Sequence, residues 1–111
     1  MNNNYYITTP IYYPSAKPHM GHAYSSIVSD VIARFKGLDG YNVEFLTGTD
    51  EHGLKIQRAA EEKEIDPKKF CDEISETFRN LSNTLNLSNT DFIRTTEDRH
   101  IKSVQNLWKI L

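Results

Sequence analysis

The amino-acid sequence predicts an α/β fold that forms the first half of a doubly wound parallel sheet. Short segments rich in β-branched and aromatic residues alternate with longer segments whose apolar residues recur every three or four positions. The chain then ends inside the last of these helical segments, with no glycine, proline or polar tail after it. Three parallel strands alone would leave edges and a helix face uncovered, so we expect a truncated half sheet. A complete three-layer mini-domain is the alternative.

The composition is that of a globular protein, and it excludes several classes of function. A formal net charge of −2 over 111 residues provides no basic stripe, so any nucleic-acid contact should be local or lie outside this segment. Cys71 is the only cysteine, which excludes an internal disulfide and a zinc site built on several thiolates. No apolar run is long enough to cross a membrane and no basic-then-apolar leader begins the chain. We therefore expect a cytoplasmic protein with no membrane partner.

The first strand, loop and helix follow from β-propensity, prolines and periodicity. Residues 5–9, which are Tyr-Tyr-Ile-Thr-Thr, predict a strand. Three prolines exclude a helix or a central strand over residues 10–18, which should therefore form a loop. Residues 21–38 predict a helix, with glycine stop signals near its end. One apolar stripe runs along this helix and consists of Met20, Tyr24, Ile27, Val28, Val31, Ile32 and Phe35.

The middle of the chain predicts a second strand and two more helices. Residues 43–46 should form the strand, residues 47–53 the loop that follows it, and residues 54–63 a helix. Asp66 and Pro67 together are a strong helix start, because a capping side chain precedes proline at the first helical position. The apolar stripe of this helix, beside which we expect Cys71 to be half buried, consists of Phe70, Ile74, Phe78, Leu81 and Leu85.

A stretch rich in Asn, Ser and Thr separates that helix from a third strand and a last helix. Residues 92–95 predict the strand. The helix should begin near Thr95 or Thr96, with Glu97 and Asp98 in its first turn. Its apolar face consists of Ile101, Val104, Leu107, Trp108 and Leu111.

The strand–loop–helix unit at the start of the chain carries the main chemical signal. A helix N-terminus presents free N–H groups and the positive end of a dipole, which suits phosphate. His19 and His22 lie three apart and can both face one ligand on the first turn, while Gly21 allows close approach of the backbone. Met20 should point away from them, into the helix–sheet contact. Two histidines at this spacing could also bind a metal or merely cap the helix.

Three blocks of sequence resemble one enzyme family. The block Pro18-His19-Met20-Gly21-His22 is similar to the His-Ile-Gly-His signature that class I aminoacyl-tRNA synthetases carry after the first strand of a Rossmann-like domain. Residues 8–13, residues 45–53 and residues 91–97 look like the corresponding segments of methionyl-tRNA synthetases. The blocks come in the order of that family and span essentially the whole chain.

The resemblance implies an ATP site at the start of the first helix. His19 and His22 would contact the ATP phosphates and stabilise the transition state of adenylate formation. Pro18 and Gly21 would complete the nucleotide site, with Gly21 making room for the nucleotide. The Mg²⁺ that accompanies ATP would be held chiefly by the nucleotide, and we expect no metal ligands in this segment.

The resemblance also implies a methionine site. Ile11 and Tyr13 would help to form the side-chain pocket, and an apolar and aromatic wall suits a thioether. Asp50 would bind the α-ammonium group of the substrate, for which a carboxylate is the natural partner. Ordinary loop packing is the alternative for Ile11 and Tyr13, and a helix cap ahead of Leu54 is the alternative for Asp50.

The resemblance finally implies that residues 1–111 are the amino-terminal part of a catalytic, nucleotide-binding domain. The lysine-rich signature loop, the connective domain with its frequent zinc site and the anticodon-binding domain are absent, so zinc, if any, lies outside this segment. The intact enzyme would activate methionine with ATP and transfer it to tRNA(Met), whereas the isolated chain should be inactive. The alternatives are another nucleotidyltransferase with an H-x-G-H site and a non-catalytic binding remnant.

Overall fold

Parallel strands and helices alternate along residues 3–111, the part of the chain that the computed structural model describes. The strands lie in the order β1-β2-β3, and both neighbouring pairs are parallel. The α/β alternation predicted from the sequence is therefore present. The elements are β1 (Asn4–Thr8), α1 (Met20–Leu38), β2 (Asn42–Thr49), α2 (Leu54–Glu62), α3 (Pro67–Thr84), β3 (Asp91–Arg94) and α4 (Asp98–Ile110).

The central strand β2 extends further than its sequence predicts. Residues 47–49, expected in a loop, continue the strand because β3 pairs with them up to Thr49. A β-carbon at Gly48 would lie 1.9 Å from the carbonyl oxygen of Ile93, so glycine permits the close approach of β3. The loop that bears Asp50 therefore begins at the end of a fully paired strand.

Helix α1 presents a different face to the sheet from the one that its apolar stripe suggests. Its buried residues are Ser26, Asp30 and Ala33, whereas Met20, expected in the helix–sheet contact, is 86% exposed. The reason is a polar anchor: the Asp30 carboxylate accepts hydrogen bonds from the backbone N–H and the hydroxyl of Ser88, at 2.6 and 2.5 Å. Amphipathic periodicity shows where the apolar stripe of a helix lies but not what packs against it. In α1 the whole apolar stripe, including Met20, is exposed.

The apolar core lies where α2 and α3 pack together and against the sheet. Phe70, Ile74 and Phe78 of the predicted α3 stripe are buried, and Asp66 caps this helix by accepting hydrogen bonds from two backbone N–H groups, as the sequence predicts. Cys71 is 2% exposed rather than half buried, because it belongs to this core cluster. Burial raises the pKa of its thiol to about 11.

The last strand and helix are shifted slightly from their predicted positions. Strand β3 begins at Asp91, one residue early, and α4 begins at Asp98 with Glu97 as its N-cap. Helix α4 has no buried residue, so its apolar face is exposed in this chain. None of the helices in residues 3–111 is long and apolar enough to span a membrane.

Candidate active site

An open cleft of about 340 Å³ lies beside the carboxyl end of β1, where the chain passes into α1. Four residues that the sequence singles out, Ile11, Tyr13, His19 and His22, contribute to its wall. The lining includes four basic side chains and no acidic one, which favours an anionic ligand. The lining residues are Ile11, Tyr12, Tyr13, Ser15, Ala16, Lys17, His19, His22 and Lys55.

The segment after β1 places alternate side chains on opposite sides. It runs extended beside β2 and forms a parallel bridge with Thr49. Ile11 and Tyr13 are exposed towards the cleft, whereas Tyr12 between them is only 8% exposed. This alternation is what an extended backbone produces, and it puts an aliphatic and an aromatic side chain together on the cleft side.

His19 and His22 cap the start of α1 reciprocally. The Nδ1 atom of His19 accepts a hydrogen bond from the N–H of Gly21 at 3.0 Å, and the Nδ1 atom of His22 accepts one from the N–H of His19 at 3.1 Å. The capping alternative raised by the sequence is therefore present. A β-carbon at Gly21 would lie 3.0 Å from the His19 ring, so glycine leaves room for that ring.

The capping geometry determines which nitrogen of each imidazole carries the proton when the ring is neutral. Because each Nδ1 atom accepts a hydrogen bond, each neutral ring carries its proton on Nε2 and can donate it to a ligand. The two rings stack with 3.9 Å between their centroids. Partial burial, and secondarily the neighbouring His19, hold the pKa of His22 below its ordinary value. The site therefore offers two imidazole Nε2–H donors at a helix N-terminus.

Asp50 follows β2 directly and is half buried. Its backbone N–H donates to the carbonyl oxygen of Tyr12 at 2.9 Å, which places Asp50 beside the cleft-lining segment, although it is not itself among the lining residues. The N-cap of α2 is Gly53, with no side-chain hydrogen bond. The helix-cap alternative for Asp50 is therefore wrong, and its carboxylate is not used in that way.

Glu51 is the most highly connected residue near the site, and sequence reasoning missed its role. Its side chain is completely buried and accepts hydrogen bonds from the Arg94 guanidinium at 2.7 and 2.8 Å. The hydroxyls of Thr49 and Thr96 donate to the same carboxylate. Burial alone would raise the pKa of Glu51, but these hydrogen bonds and the Arg94 charge hold it below its ordinary value.

This network joins the carboxyl ends of β2 and β3. The N–H of Glu51 also donates to the Thr95 hydroxyl at 2.8 Å, and Arg94 pairs with Asp72 of α3. Both Glu51 oxygens already have two donors, so a metal-ligand role for this residue is disfavoured. Within residues 3–111, no group of three or more His, Cys, Asp or Glu side chains is placed to hold a metal ion. The sequence contained one signal for this pair: Glu51 follows β2, and Arg94 ends the neighbouring strand β3.

The comparison with protein families assigns the chain. A family model described as "tRNA synthetases class I (M)" matches residues 5–111. The chain belongs to this family.

Relatives in the class I synthetase family resemble the chain over its whole length. It is 60% identical to a methionine–tRNA ligase of Rickettsia bellii over 111 residues, which are 100% of this chain and 22% of that protein. It is 56% identical over 110 residues to a mitochondrial methionine–tRNA ligase of Takifugu rubripes, covering 99% of this chain and 19% of that protein. The chain thus spans about a fifth of the length of the curated relatives it matches.

A solved class I synthetase structure shares the fold. Mycobacterium tuberculosis methionyl-tRNA synthetase in complex with methionyl-adenylate superposes with a TM-score of 0.94 at 48% identity, covering 96% of this chain and 21% of that one. The predicted fold class, an α/β arrangement belonging to a class I synthetase catalytic domain, is confirmed.

Proposed function

We propose that the chain is the amino-terminal part of the catalytic domain of a methionine–tRNA ligase. The intact enzyme would activate methionine with ATP to methionyl-adenylate and transfer the acyl group to tRNA(Met). The observation that carries this proposal is the reciprocal cap of His19 and His22, because it uses both Nδ1 atoms and leaves two Nε2–H groups to donate to a ligand in a cleft that Lys17 and Lys55 also line. Family membership supports the same conclusion.

His19 and His22 are the proposed catalytic residues. In the first step a methionine carboxylate oxygen bonds to the α-phosphorus of ATP, the bond from that phosphorus to the bridging oxygen breaks, and pyrophosphate leaves. No covalent nucleophile from the protein is needed, so positioning and stabilisation of charge supply the catalysis. Hydrogen bonds from the two imidazoles to phosphate oxygens would strengthen as charge develops. Pro18, which precedes the histidines, and Gly21, which lies between them, complete the proposed ATP site, and Mg²⁺ would bind together with the nucleotide.

Ile11, Tyr13 and Asp50 are the proposed methionine contacts. Ile11 and Tyr13 expose an aliphatic and an aromatic surface on one side of the extended segment, which suits a thioether side chain. Asp50 is hydrogen-bonded to this segment through its backbone, so its main chain lies one strand spacing from the segment that carries Ile11 and Tyr13. A carboxylate there would pair with the substrate ammonium group.

In the second step, a hydroxyl of the terminal ribose of tRNA(Met) would attack the adenylate carbonyl, and AMP would leave. This segment carries a net charge of −2, so the main tRNA-binding surface would lie elsewhere in the enzyme. We propose the cytoplasm as the place of action, in keeping with the family to which the chain belongs.

Pyrophosphate exchange, measured with the full-length polypeptide that contains these residues, tests the proposal. Methionine should be required for exchange of label between pyrophosphate and ATP. Asp50→Ala should raise the KM for methionine about tenfold or more, because an ammonium–carboxylate hydrogen bond is lost. Asp39→Ala is the matched control, since Asp39 lies at the far end of α1 and should leave the KM unchanged.

The outcomes of this assay separate the alternatives. Exchange that depends on a different acid substrate, with no effect of Asp50→Ala, would indicate another nucleotidyltransferase with an H-x-G-H site. No exchange at all, with ATP binding retained, would indicate a non-catalytic binding remnant. The isolated residues 1–111 should show no exchange, and a rate near that of intact ligases would contradict this part of the proposal.

A further inference from the structure

Tyr12 lies between the proposed methionine contacts and the two histidines, and its backbone is bonded to the end of β2. Its N–H donates to the carbonyl oxygen of Gly48 at 3.0 Å, and its carbonyl oxygen accepts from the N–H of Asp50 at 2.9 Å. The position of Asp50 is therefore fixed relative to the segment that carries Ile11 and Tyr13. These two bonds involve only main-chain atoms, so they are independent of the Tyr12 side chain.

The side chain of Tyr12 contacts the start of α1, where the two histidines lie. Its hydroxyl donates to the carbonyl oxygen of His22 at 3.3 Å and lies 2.9 Å from the hydroxyl of Ser26. Either hydroxyl can donate in the contact between Tyr12 and Ser26, because each is both a donor and an acceptor. The Tyr12 ring lies 4.8 Å from the His22 ring and 5.6 Å from the buried Phe78 ring, centroid to centroid. Tyr12 thus forms, together with Phe78, whose ring lies 5.0 Å from that of His22, the surface against which His22 packs.

Ser26 is the one buried residue in the first two turns of α1. Its hydroxyl is the partner of Tyr12. The next polar anchor, Asp30, lies one turn further along and holds the middle of the helix. Tyr12 therefore fixes the end of α1 that carries the histidines.

We propose that Tyr12 is a positioning residue, whose hydroxyl holds His22 against the segment that binds the amino acid. This inference rests on the proposed function for its catalytic consequence. The hydroxyl should set the position of the His22 ring relative to Asp50, whereas the ring supplies packing. An aromatic residue of the core without the hydroxyl would preserve the packing and lose the positioning.

The variant Tyr12→Phe of the full-length polypeptide tests the role of the hydroxyl. In methionine-dependent pyrophosphate exchange, kcat per folded molecule should fall about tenfold, which is the effect of losing one to two hydrogen bonds that orient a catalytic group. The KM for methionine should change less than about twofold, because the Asp50 contact with Tyr12 is made by the main chain. Tyr41→Phe makes the same chemical change before β2, at the other end of the sheet, and should leave kcat unchanged.

Ser26→Ala provides a second, independent variant. Removing the Ser26 hydroxyl should reproduce the fall in kcat, and the double variant Tyr12→Phe/Ser26→Ala should fall no further than the worse single variant, because both changes break one chain of hydrogen bonds. Additive losses would contradict the proposal. A fall that disappears once kcat is corrected for the folded fraction would show a merely structural role and would also overturn it.

Titration of the His22 imidazole by NMR gives a readout that does not depend on activity. In Tyr12→Phe the pKa of His22 should move back towards its ordinary value, because loss of the hydroxyl releases the backbone of His22 and lets water reach its ring, while Tyr41→Phe should leave the pKa unchanged. An unchanged His22 pKa together with an unchanged kcat would refute the proposal. If the unaltered polypeptide lacks exchange activity, the proposed function fails, and the His22 titration alone still decides whether Tyr12 positions that ring.

Discussion

His22 accepts the backbone N–H of His19 on its Nδ1 atom at 3.1 Å, and the two rings stack 3.9 Å apart. This pair does locally what a serine or threonine with a glutamate does in a capping box, satisfying donors that the helix cannot satisfy itself. Imidazole adds a property that those residues lack, a second nitrogen on the far side of the ring. One pair of side chains can therefore cap the helix and still offer hydrogen bonds to a ligand.

The first prediction is that acid weakens the start of α1. A protonated His22 cannot accept the His19 N–H, and the pKa of His22 lies below its ordinary value of 6.5, so the unfolded chain binds the proton more readily. The contribution to stability is complete above pH 6.5 and is lost as the pH falls below that value, towards the folded-state pKa. Thermal unfolding midpoints of the 111-residue chain between pH 8 and pH 5 measure it.

The control for this acid sensitivity is a residue at position 22 that can still accept the His19 N–H but cannot be protonated. His22→Gln retains an acceptor for the His19 N–H and should flatten the dependence of the unfolding midpoint on pH in this range. His100→Gln removes a histidine from α4, outside the capping pair, and should leave the dependence as it is. Equal slopes in the His22→Gln chain and the unaltered chain would contradict the capping role of the neutral imidazole.

The second prediction concerns the close approach of β2 and β3 at Gly48. Gly48→Ala would place a β-carbon 1.9 Å from the Ile93 carbonyl oxygen, which is backbone and cannot move aside without breaking the pairing. We expect a loss of about 3 kcal/mol or more in the free energy of unfolding. Gly37→Ala is the matched control, because a β-carbon at Gly37 would meet no atom within 4 Å and alanine favours a helix. Urea denaturation measures the free energy of unfolding of both variants. Similar free energies for the two would contradict the prediction.

The third prediction is that Glu51 holds the ends of β2 and β3 together. Glu51→Gln removes the charge partner of Arg94 inside the protein, and breaking a buried pair costs about 3 kcal/mol. The exposed Glu73 on α3 offers the control, since Glu73→Gln should change the free energy of unfolding by less than about 0.5 kcal/mol. Chemical denaturation at neutral pH is the measurement. A Glu51→Gln chain as stable as Glu73→Gln would show that the ion pair is not needed.

Acid provides a separate test of the same carboxylate. Because the pKa of Glu51 is held below its ordinary value, its contribution to stability is present above that value and is lost as the pH falls through the folded-state pKa. The pH dependence of unfolding below about pH 4.5 should therefore be shallower in Glu51→Gln than in the unaltered chain. Identical acid profiles would argue against an ionised, hydrogen-bonded Glu51.

The sequence predicted every helix and strand to within a few residues, because local signals determine them. The cap at Asp66 with Pro67, the prolines before α1 and the spacing of Phe70, Ile74 and Phe78 are all properties of neighbouring residues. The proposed site residues of the first loop likewise come from a contiguous block. What could not be predicted depends on partners distant in the chain.

Two features illustrate this dependence on distant partners. The Glu51–Arg94 pair joins residues 43 positions apart, and no local pattern distinguishes Glu51 from an ordinary loop carboxylate. The orientation of α1 depends on Ser88, which lies 58 positions from Asp30. Periodicity favoured the apolar side of the helix, whereas a charged hydrogen-bond network decided which side faces the sheet.

The fourth prediction tests that orientation with two adjacent residues of α1. Asp30→Ala leaves the Ser88 N–H and hydroxyl without their acceptor and releases Arg34, so the free energy of unfolding should fall by about 2 kcal/mol. Val31→Ala shortens an apolar side chain that is 60% exposed, and it should change the free energy by less than about 0.5 kcal/mol in this chain. If the apolar stripe were the face against the sheet, the order would reverse, because burying valine stabilises a core and an exposed aspartate does not. Urea denaturation of the two variants therefore distinguishes a helix held by Asp30 from one held by its apolar stripe.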